Sequence, residues 1–468
     1  MAQHVPKKTL RVVGIYALMV VVPVLVSIVL LTGGTGAATT TRAETAGGHP
    51  LAQLLLSIAI VVAACKAGGS LMRLMGQPPV IGEIAAGIVL GPSVLGALWP
   101  QGAEALIPAG ILPQLNVLAQ VGVVLFVFLT GLELKTSLMR GRGQLAVVVS
   151  HVSIAVPFVL GVAVAVAAYA EFAPKGVGFL AFALFMGVSM SITALPVLVR
   201  ILKDTNLFRT EAGVVALTCA VVDDVSAWCL LALVVALVTA SSLTGVLLTL
   251  VLTAAFVAVL FWLLRPVLVR FLNRTEEVAL RRLAPLALVG VLLCAMATDW
   301  IGVHAMFGAF IFGVVFPRGN AVESWLLDNT GGLTAALLLP LFFAFSGLRT
   351  DIGLLAGDAT LWLWCGAILV VAVAGKLGSA ALAARSVGER WSRSLQIGAL
   401  MNCRGLTELV VLNVGLDLGV LSPTMFTMLV LMALVSTAMT APLAVRLDKR
   451  ARAQEEAEGE VRALSDAS

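Results

Sequence analysis

Two adjacent carboxylates lie in the stretch Ala220-Val-Val-Asp223-Asp224-Val-Ser226-Ala-Trp228, with no other charge within ten residues on either side. A lysine sits in a similar setting, Ala374-Gly-Lys376-Leu-Gly378-Ser379, and an arginine and a glutamate occur in Asn402-Cys-Arg404-Gly405-Leu-Thr407-Glu408. Hydroxyls crowd the run Ser189-Met-Ser191-Ile-Thr193-Ala-Leu-Pro196. A desolvated carboxylate takes up a proton readily, while a nearby cation favours its ionised form. One such group can hold either H⁺ or a metal cation, in competition. An ion pair needs Lys376 and one aspartate, which leaves the second aspartate as surplus charge. Neighbouring residues on a helix point about 100° apart, so one carboxylate can face an ion cavity while the other faces Lys376. Arg404 and Glu408 share one helix face at i, i+4 and read as a neutralising pair, with a direct ion contact by Glu408 as the alternative. Ser189 and Thr193 offer hydroxyl oxygens that suit hard monovalent cations.

The elements that carry these residues are set by composition. The 468-residue chain is 60% hydrophobic and 12% charged, against roughly 45–50% and about 25% in a soluble domain. Apolar runs of about 20 residues, enough to cross a bilayer, recur from end to end. Fourteen helices are expected, near 12–31, 51–75, 79–98, 111–132, 143–170, 177–201, 211–239, 243–265, 283–300, 302–316, 330–348, 360–384, 394–416 and 423–444. The first has a basic lead (Lys7, Lys8, Arg11), but its apolar stretch exceeds the usual signal-peptide core, so it reads as a retained span. The two aspartates fall in the seventh helix, Lys376 in the twelfth, and Arg404 with Glu408 in the thirteenth. Charges at such depth are costly and need a functional reason.

Basic residues set the orientation. With the N-terminus in the cytoplasm, cytoplasmic segments hold 24 of the 30 Lys and Arg residues and outer loops hold three, Arg42, Lys175 and Arg349. Lys66, Lys376 and Arg404 lie inside spans. The same distribution turns the net charge of +5 away from nucleic acid. The expected location is the plasma membrane, with both termini cytoplasmic. Six scattered cysteines lack metal-ligand spacing and read as buried thiols. The tail at 446–468 is acidic and lacks a nucleotide-binding fingerprint. Glu83 and Lys66 are read as reaching the inner surface, and His151 and His304 as satisfied hydrogen-bonders.

The chain also repeats itself. Phe126-Val-Phe-Leu-Thr-Gly131-Leu-Glu133 matches Phe342-Phe-Ala-Phe-Ser-Gly347-Leu-Arg349, and Gly82 to Pro92 loosely matches His304 to Gly313. Helices 3–7 (about 79–239) and 10–14 (about 302–444) then form five-helix repeats of opposite orientation, the mark of secondary transporters. The fourth helix of each is interrupted, one before Pro196 and the other around Asn402. Broken helices are tolerated in a bilayer only where they are buried or line a cavity.

These stretches resemble the monovalent cation:proton antiporter-2 family. The resemblance covers roughly 51–445 and rests on Gln77 to Pro92, Gly131-Leu-Glu133, Ser191 to Pro196, Val222 to Trp228, His304 to Phe310, Pro340 to Leu348, and Met401 to Leu409. The last three are closest to plant cation/H⁺ exchangers. The resemblance implies an all-α membrane fold with crossed, broken helices, a core domain, a dimerisation domain and a homodimer. It implies exchange of K⁺ or Na⁺ for H⁺, with no cofactor and no enzymatic activity. It also implies that Asp224 is the shared ion and proton carboxylate, that Asp223 pairs with Lys376, and that Thr193 lies at the crossing. Paired aspartates are similar to the electrogenic sodium/proton members, whereas the plant-type branch often has Asn at the first position.

Two other classes fit less well. A channel would show a selectivity filter of carbonyls or charged rings, and none is repeated here. An intramembrane aspartyl protease needs two carboxylates on one water, which consecutive residues of one helix cannot supply. A proton-coupled exporter of another small substrate is the remaining alternative.

Overall fold

The computed structural model describes residues 50–133, 143–239, 243–274 and 277–466, and all regular structure among them is helical. The expected first span at 12–31 lies outside the described residues. Among the described residues, eleven helices are long and apolar enough to cross a membrane, and a bent pair, Trp391–Met401 with Leu406–Asp417, makes a twelfth. The shorter apolar helix Ala305–Val315 occupies the place of the expected tenth span.

The helices are α1 (Pro50–Leu74), α2 (Pro79–Leu90), α3 (Leu112–Glu133), α4 (Gly143–Phe172), α5 (Phe179–Ser191), α6 (Leu195–Asp204), α7 (Glu211–Thr239), α8 (Leu243–Ala258), α9 (Glu277–Ile301), α10 (Ala305–Val315), α11 (Leu339–Leu348), α12 (Ala359–Ser386), α13 (Trp391–Met401), α14 (Leu406–Asp417) and α15 (Pro423–Asp466). The last runs as helix well past the expected end of its span near 444. Two π-helical turns, Leu326–Thr330 and Thr334–Leu338, lead into α11.

Packing sorts the helices into two groups. One contains α4 to α7 and α12 to α15, and the other contains α1 to α3 and α9 to α11. Within the second group the crossings are close. A Cβ on Gly131 would stand 2.5 Å from the Phe310 carbonyl oxygen, and one on Gly313 would stand 2.2 Å from that of Phe128. Likewise, Gly87 abuts Ala344 O and Gly347 abuts Ile84 O, at 2.2 and 2.3 Å for the added atom. Small residues let membrane helices approach backbone to backbone. Each of the four repeated motifs thus packs on a motif from the other half of the chain, the exchange expected of two-fold-related repeats.

Both expected interruptions are present. α5 stops at Ser191, Ile192 and Ala194 are extended, and α6 begins with Pro196 in its first turn. Proline disfavours helix in the residue before it and is tolerated in a first helical turn. Pro196 therefore opens a new half-helix instead of kinking a continuous one. The second break spans Asn402 to Gly405, and the two half-helices α13 and α14 bend by 43°.

Candidate functional site

The two breaks cross and touch. The Ala194 amide donates to Cys403 O at 3.0 Å, so backbone groups orphaned by each interruption satisfy one another. Beneath the crossing, Asp223 and Lys376 form a fully buried ion pair, Oδ2 to Nζ 2.9 Å. Ser150 Oγ donates to Asp223 Oδ1 at 2.5 Å, and Thr193 Oγ1 lies 2.8 Å from Oδ2 and 3.1 Å from Met401 O. Lys376 Nζ also donates to the carbonyls of Ser153 and Ser191 at 2.9 and 2.5 Å. An ammonium carries three donors, and each has found an oxygen.

Arg404 does more than neutralise Glu408. Its Nη1 lies 3.2 Å from Glu408 Oε1 and 2.9 Å from Ser189 O, and Nη2 lies 2.8 Å from Met190 O. The side chain from the second break therefore caps the helix end exposed by the first, where a cation is favoured. On the other side, Thr437 bonds both the amide and the carbonyl of Arg404, and Asn402 Nδ2 donates to Ser436 O.

Asp224 stands apart from this network. It is 1% exposed, the Leu195 amide and the Thr407 hydroxyl face its carboxylate, and Oδ1 has no hydrogen-bond partner. Among the described residues the buried charges are Asp223, Asp224, Glu408, Lys376 and Arg404. Three acids against two bases leave one negative charge, and the two pairings leave it on Asp224.

A cavity of about 490 Å³ descends between α3 and α6, from Glu133 and Lys203 at its mouth to Leu195 and Pro196, the break that faces Asp224. A smaller cavity of about 220 Å³ holds Glu83 and Arg200 and shares Phe126, Pro196 and Ala335 with the first. At the opposite end the groups are joined. Arg349, after α11, pairs with Asp417 of α14 at 2.7 Å and donates to Asn413 Oδ1 at 3.1 Å.

The structure thus gathers Asp223, Lys376 and Thr193 on one side of the crossing and leaves Asp224 on the other. The Ser189 hydroxyl does not join them. It donates to Phe185 O at 2.7 Å, one turn back, and only the Ser189 carbonyl enters the site. Five cysteines are buried as expected, but Cys229 is exposed. His304 accepts from the Met306 amide at the start of α10, and His151 contacts Val147 O at 2.8 Å. Sequence reasoning missed Ser150, Ser153, Thr407, Ser436 and Thr437. Buried hydroxyls in apolar spans were the available signal for Ser150, Thr407 and Thr437, whereas Ser153 and Ser436 act through backbone carbonyls, which no side-chain pattern marks.

Residues 55–446 match the family model described as sodium/hydrogen exchanger, transmembrane. The chain belongs to the sodium/hydrogen exchanger family. It is 41% identical over 402 residues to the Na⁺/H⁺ antiporter NhaS4 of Synechocystis sp., covering 85% of this chain and 98% of that one. It is 35% identical to the K⁺/H⁺ antiporter 1 of Saccharomyces cerevisiae and 38% identical to the cation/H⁺ antiporter 17 of Arabidopsis thaliana. Those matches cover 84% and 86% of this chain, which spans about half of each relative's length (46% and 49%). Among solved structures, the sodium proton antiporter MjNhaP1 of Methanocaldococcus jannaschii matches with a TM-score of 0.58 at 13% identity, over 85% of this chain and 97% of that one. The all-helical exchanger fold read from the sequence is the fold observed.

Proposed function

We propose that the chain is a secondary active antiporter that exchanges a monovalent cation, Na⁺ or K⁺, for H⁺ across the plasma membrane. The observation that carries this is Asp224, a surplus buried carboxylate with a bare oxygen at the crossing of two broken helices. An isolated charge in low dielectric is strongly unfavourable, so the group holds either a proton or a cation. Because both neutralise the same oxygen, binding of one expels the other, and coupling follows without a further device. Asp223 and Lys376 hold the crossing together from beneath, and Pro196, Asn402, Arg404 and Glu408 maintain the breaks.

Access alternates. The large cavity reaches the crossing from the end that carries the basic loops, assigned to the cytoplasm by charge bias, while Arg349 and Asp417 close the far end. Residues 51–445 form the exchanger unit, with repeats near 79–239 and 302–444, and the group holding the crossing moves against the other. The working form is a homodimer in the bilayer. Support comes from the net charge of the site, the one-sided cavity and relatives named as Na⁺/H⁺ and K⁺/H⁺ antiporters.

The test is pH-gradient dequenching in proteoliposomes, with Na⁺, K⁺, Li⁺ and Rb⁺ added in turn. Proton movement driven by Na⁺ or K⁺ is expected. Purified, folded protein that moves no protons with any of the four would overturn the reading.

A further inference from the structure

A monovalent cation at Asp224 needs more than one carboxylate oxygen, and the breaks supply few others. Five carbonyl oxygens at the crossing already accept a hydrogen bond, and a sixth faces a shared hydroxyl. Those of Ser189 and Met190 are held by Arg404, and that of Ser191 by Lys376. Those of Cys403 and Arg404 are bonded by the Ala194 amide and Thr437, and that of Met401 lies 3.1 Å from the Thr193 hydroxyl, which it shares with Asp223. The three facing Arg404 and Lys376 are poor seats for a further positive charge, because a cation there would stand beside a fixed one.

Thr407 is different. It is 3% exposed, its Oγ1 finds no backbone acceptor, and the group it faces is the Asp224 carboxylate. Buried hydroxyls elsewhere in the spans turn back on their own helix, as Thr218 does to Val214 O and Thr440 to Ser436 O, or reach an acceptor across the core, as Ser150 and Thr437 do. Thr407 lies in the first turn of α14. The carbonyl four residues back belongs to Cys403, which accepts from the Ala194 amide, and the one three residues back belongs to Arg404, which accepts from Thr437. Both carbonyls precede Leu406, the first residue of α14, and Gly405 between them and the helix is not helical, so neither is presented to this hydroxyl as a carbonyl inside a helix would be. The hydroxyl is left beside Asp224, whose Oδ1 is without a partner.

We infer that Thr407 Oγ1 and Asp224 Oδ1 together are the side-chain ligands of the transported cation, and that Thr407 helps set which cation is taken. The inference rests on the antiport reading. A hydroxyl oxygen is a neutral, hard donor with two lone pairs. It can coordinate a cation without adding charge, and it can donate to the carboxylate when no cation is bound. Asp224 alone suffices for the proton, whereas the cation needs both. The proton and cation branches of the cycle should therefore respond differently to loss of the hydroxyl.

The experiment compares Thr407→Val, which keeps shape and removes the hydroxyl, with Thr407→Ser, which keeps the hydroxyl. Both are made in the full chain, in proteoliposomes, with Na⁺ and K⁺ titrated separately. Thr407→Val is expected to raise the cation KM about tenfold or more, equivalent to about 1.4 kcal/mol or more, with kcat changing less than KM. The Na⁺ to K⁺ ratio of KM values should shift, and Thr407→Ser should restore both. An unchanged KM and ratio in Thr407→Val, with wild type active, would overturn the inference. So would equal impairment in Thr407→Ser, which marks a packing role. Wild type inactive with every cation would instead overturn the antiport reading itself.

Discussion

The backbone amide of Ala194 donates to the carbonyl of Cys403 at 3.0 Å, tying the two interrupted spans together where neither is helical. In hydrocarbon an unpaired peptide group is expensive, so each break is tolerable chiefly because the other exists. Arg404 reinforces the tie by reaching the carbonyls of Ser189 and Met190. Below this junction one carboxylate is committed to Lys376, and its neighbour keeps one oxygen without a partner. The predictions below follow from that division.

Asp224→Asn should abolish exchange and leave the fold intact. The amide keeps the volume of the carboxyl, makes no titration and carries no charge for a cation to neutralise. Purified Asp224→Asn is expected to show no cation-driven proton movement and to elute as a single species like wild type. Near-wild-type transport in that variant would remove Asp224 from the role.

Lys376→Ala should lower thermal stability strongly, because it leaves Asp223 as a buried charge without its partner. Such losses are typically about 3–5 kcal/mol. Asp223→Asn combined with Lys376→Gln should recover part of the deficit, since no lone charge remains. A thermal-unfolding double-mutant cycle reads the coupling, and strictly additive single effects would contradict the 2.9 Å contact.

Arg349→Ala should loosen the far end, because Arg349 joins α11 in one group to Asp417 and Asn413 in the other. The pair is partly exposed, so its contribution to global stability is small, about 1 kcal/mol or less. Its effect should appear in the balance between access states. With Thr334→Cys as a buried reporter beside the cavity lining, labelling by a membrane-impermeant reagent from the side the cavity opens to should slow in Arg349→Ala. Unchanged labelling would argue that the pair does not hold the closed end.

Competition at one carboxylate fixes a pH dependence. As pH rises the proton leaves Asp224, so the apparent cation KM should fall, by at most about tenfold per pH unit for each competing proton. A KM independent of pH would mean that the proton and cation do not share the site.

The sequence by itself determined the spans, because a bilayer demands about 20 apolar residues per crossing and the chain repeats that pattern plainly. It also determined that one buried carboxylate is surplus, since charge counting needs no geometry, and it located both breaks through Pro196 and the polar run after Met401. Its repeated glycine motifs announced two related halves. Only the tertiary structure decided which partners each group keeps. Local sequence placed Ser189 and Thr193 together as candidate ion ligands. The fold spends the Ser189 hydroxyl on its own helix and gives Thr193 to Asp223. It brings the hydroxyls of Ser150 from α4 and Thr437 from α15, with the carbonyls of Ser153 and Ser436, to sites far away in the chain. It also leaves Thr407 without a backbone acceptor by starting α14 at Leu406, so that the carbonyls three and four residues back lie outside the helix. A hydroxyl's partner is the nearest unmatched donor or acceptor in space, and in a crossed-helix core that neighbour is set by packing between segments some 200 residues apart, as between Arg404 and Ser189.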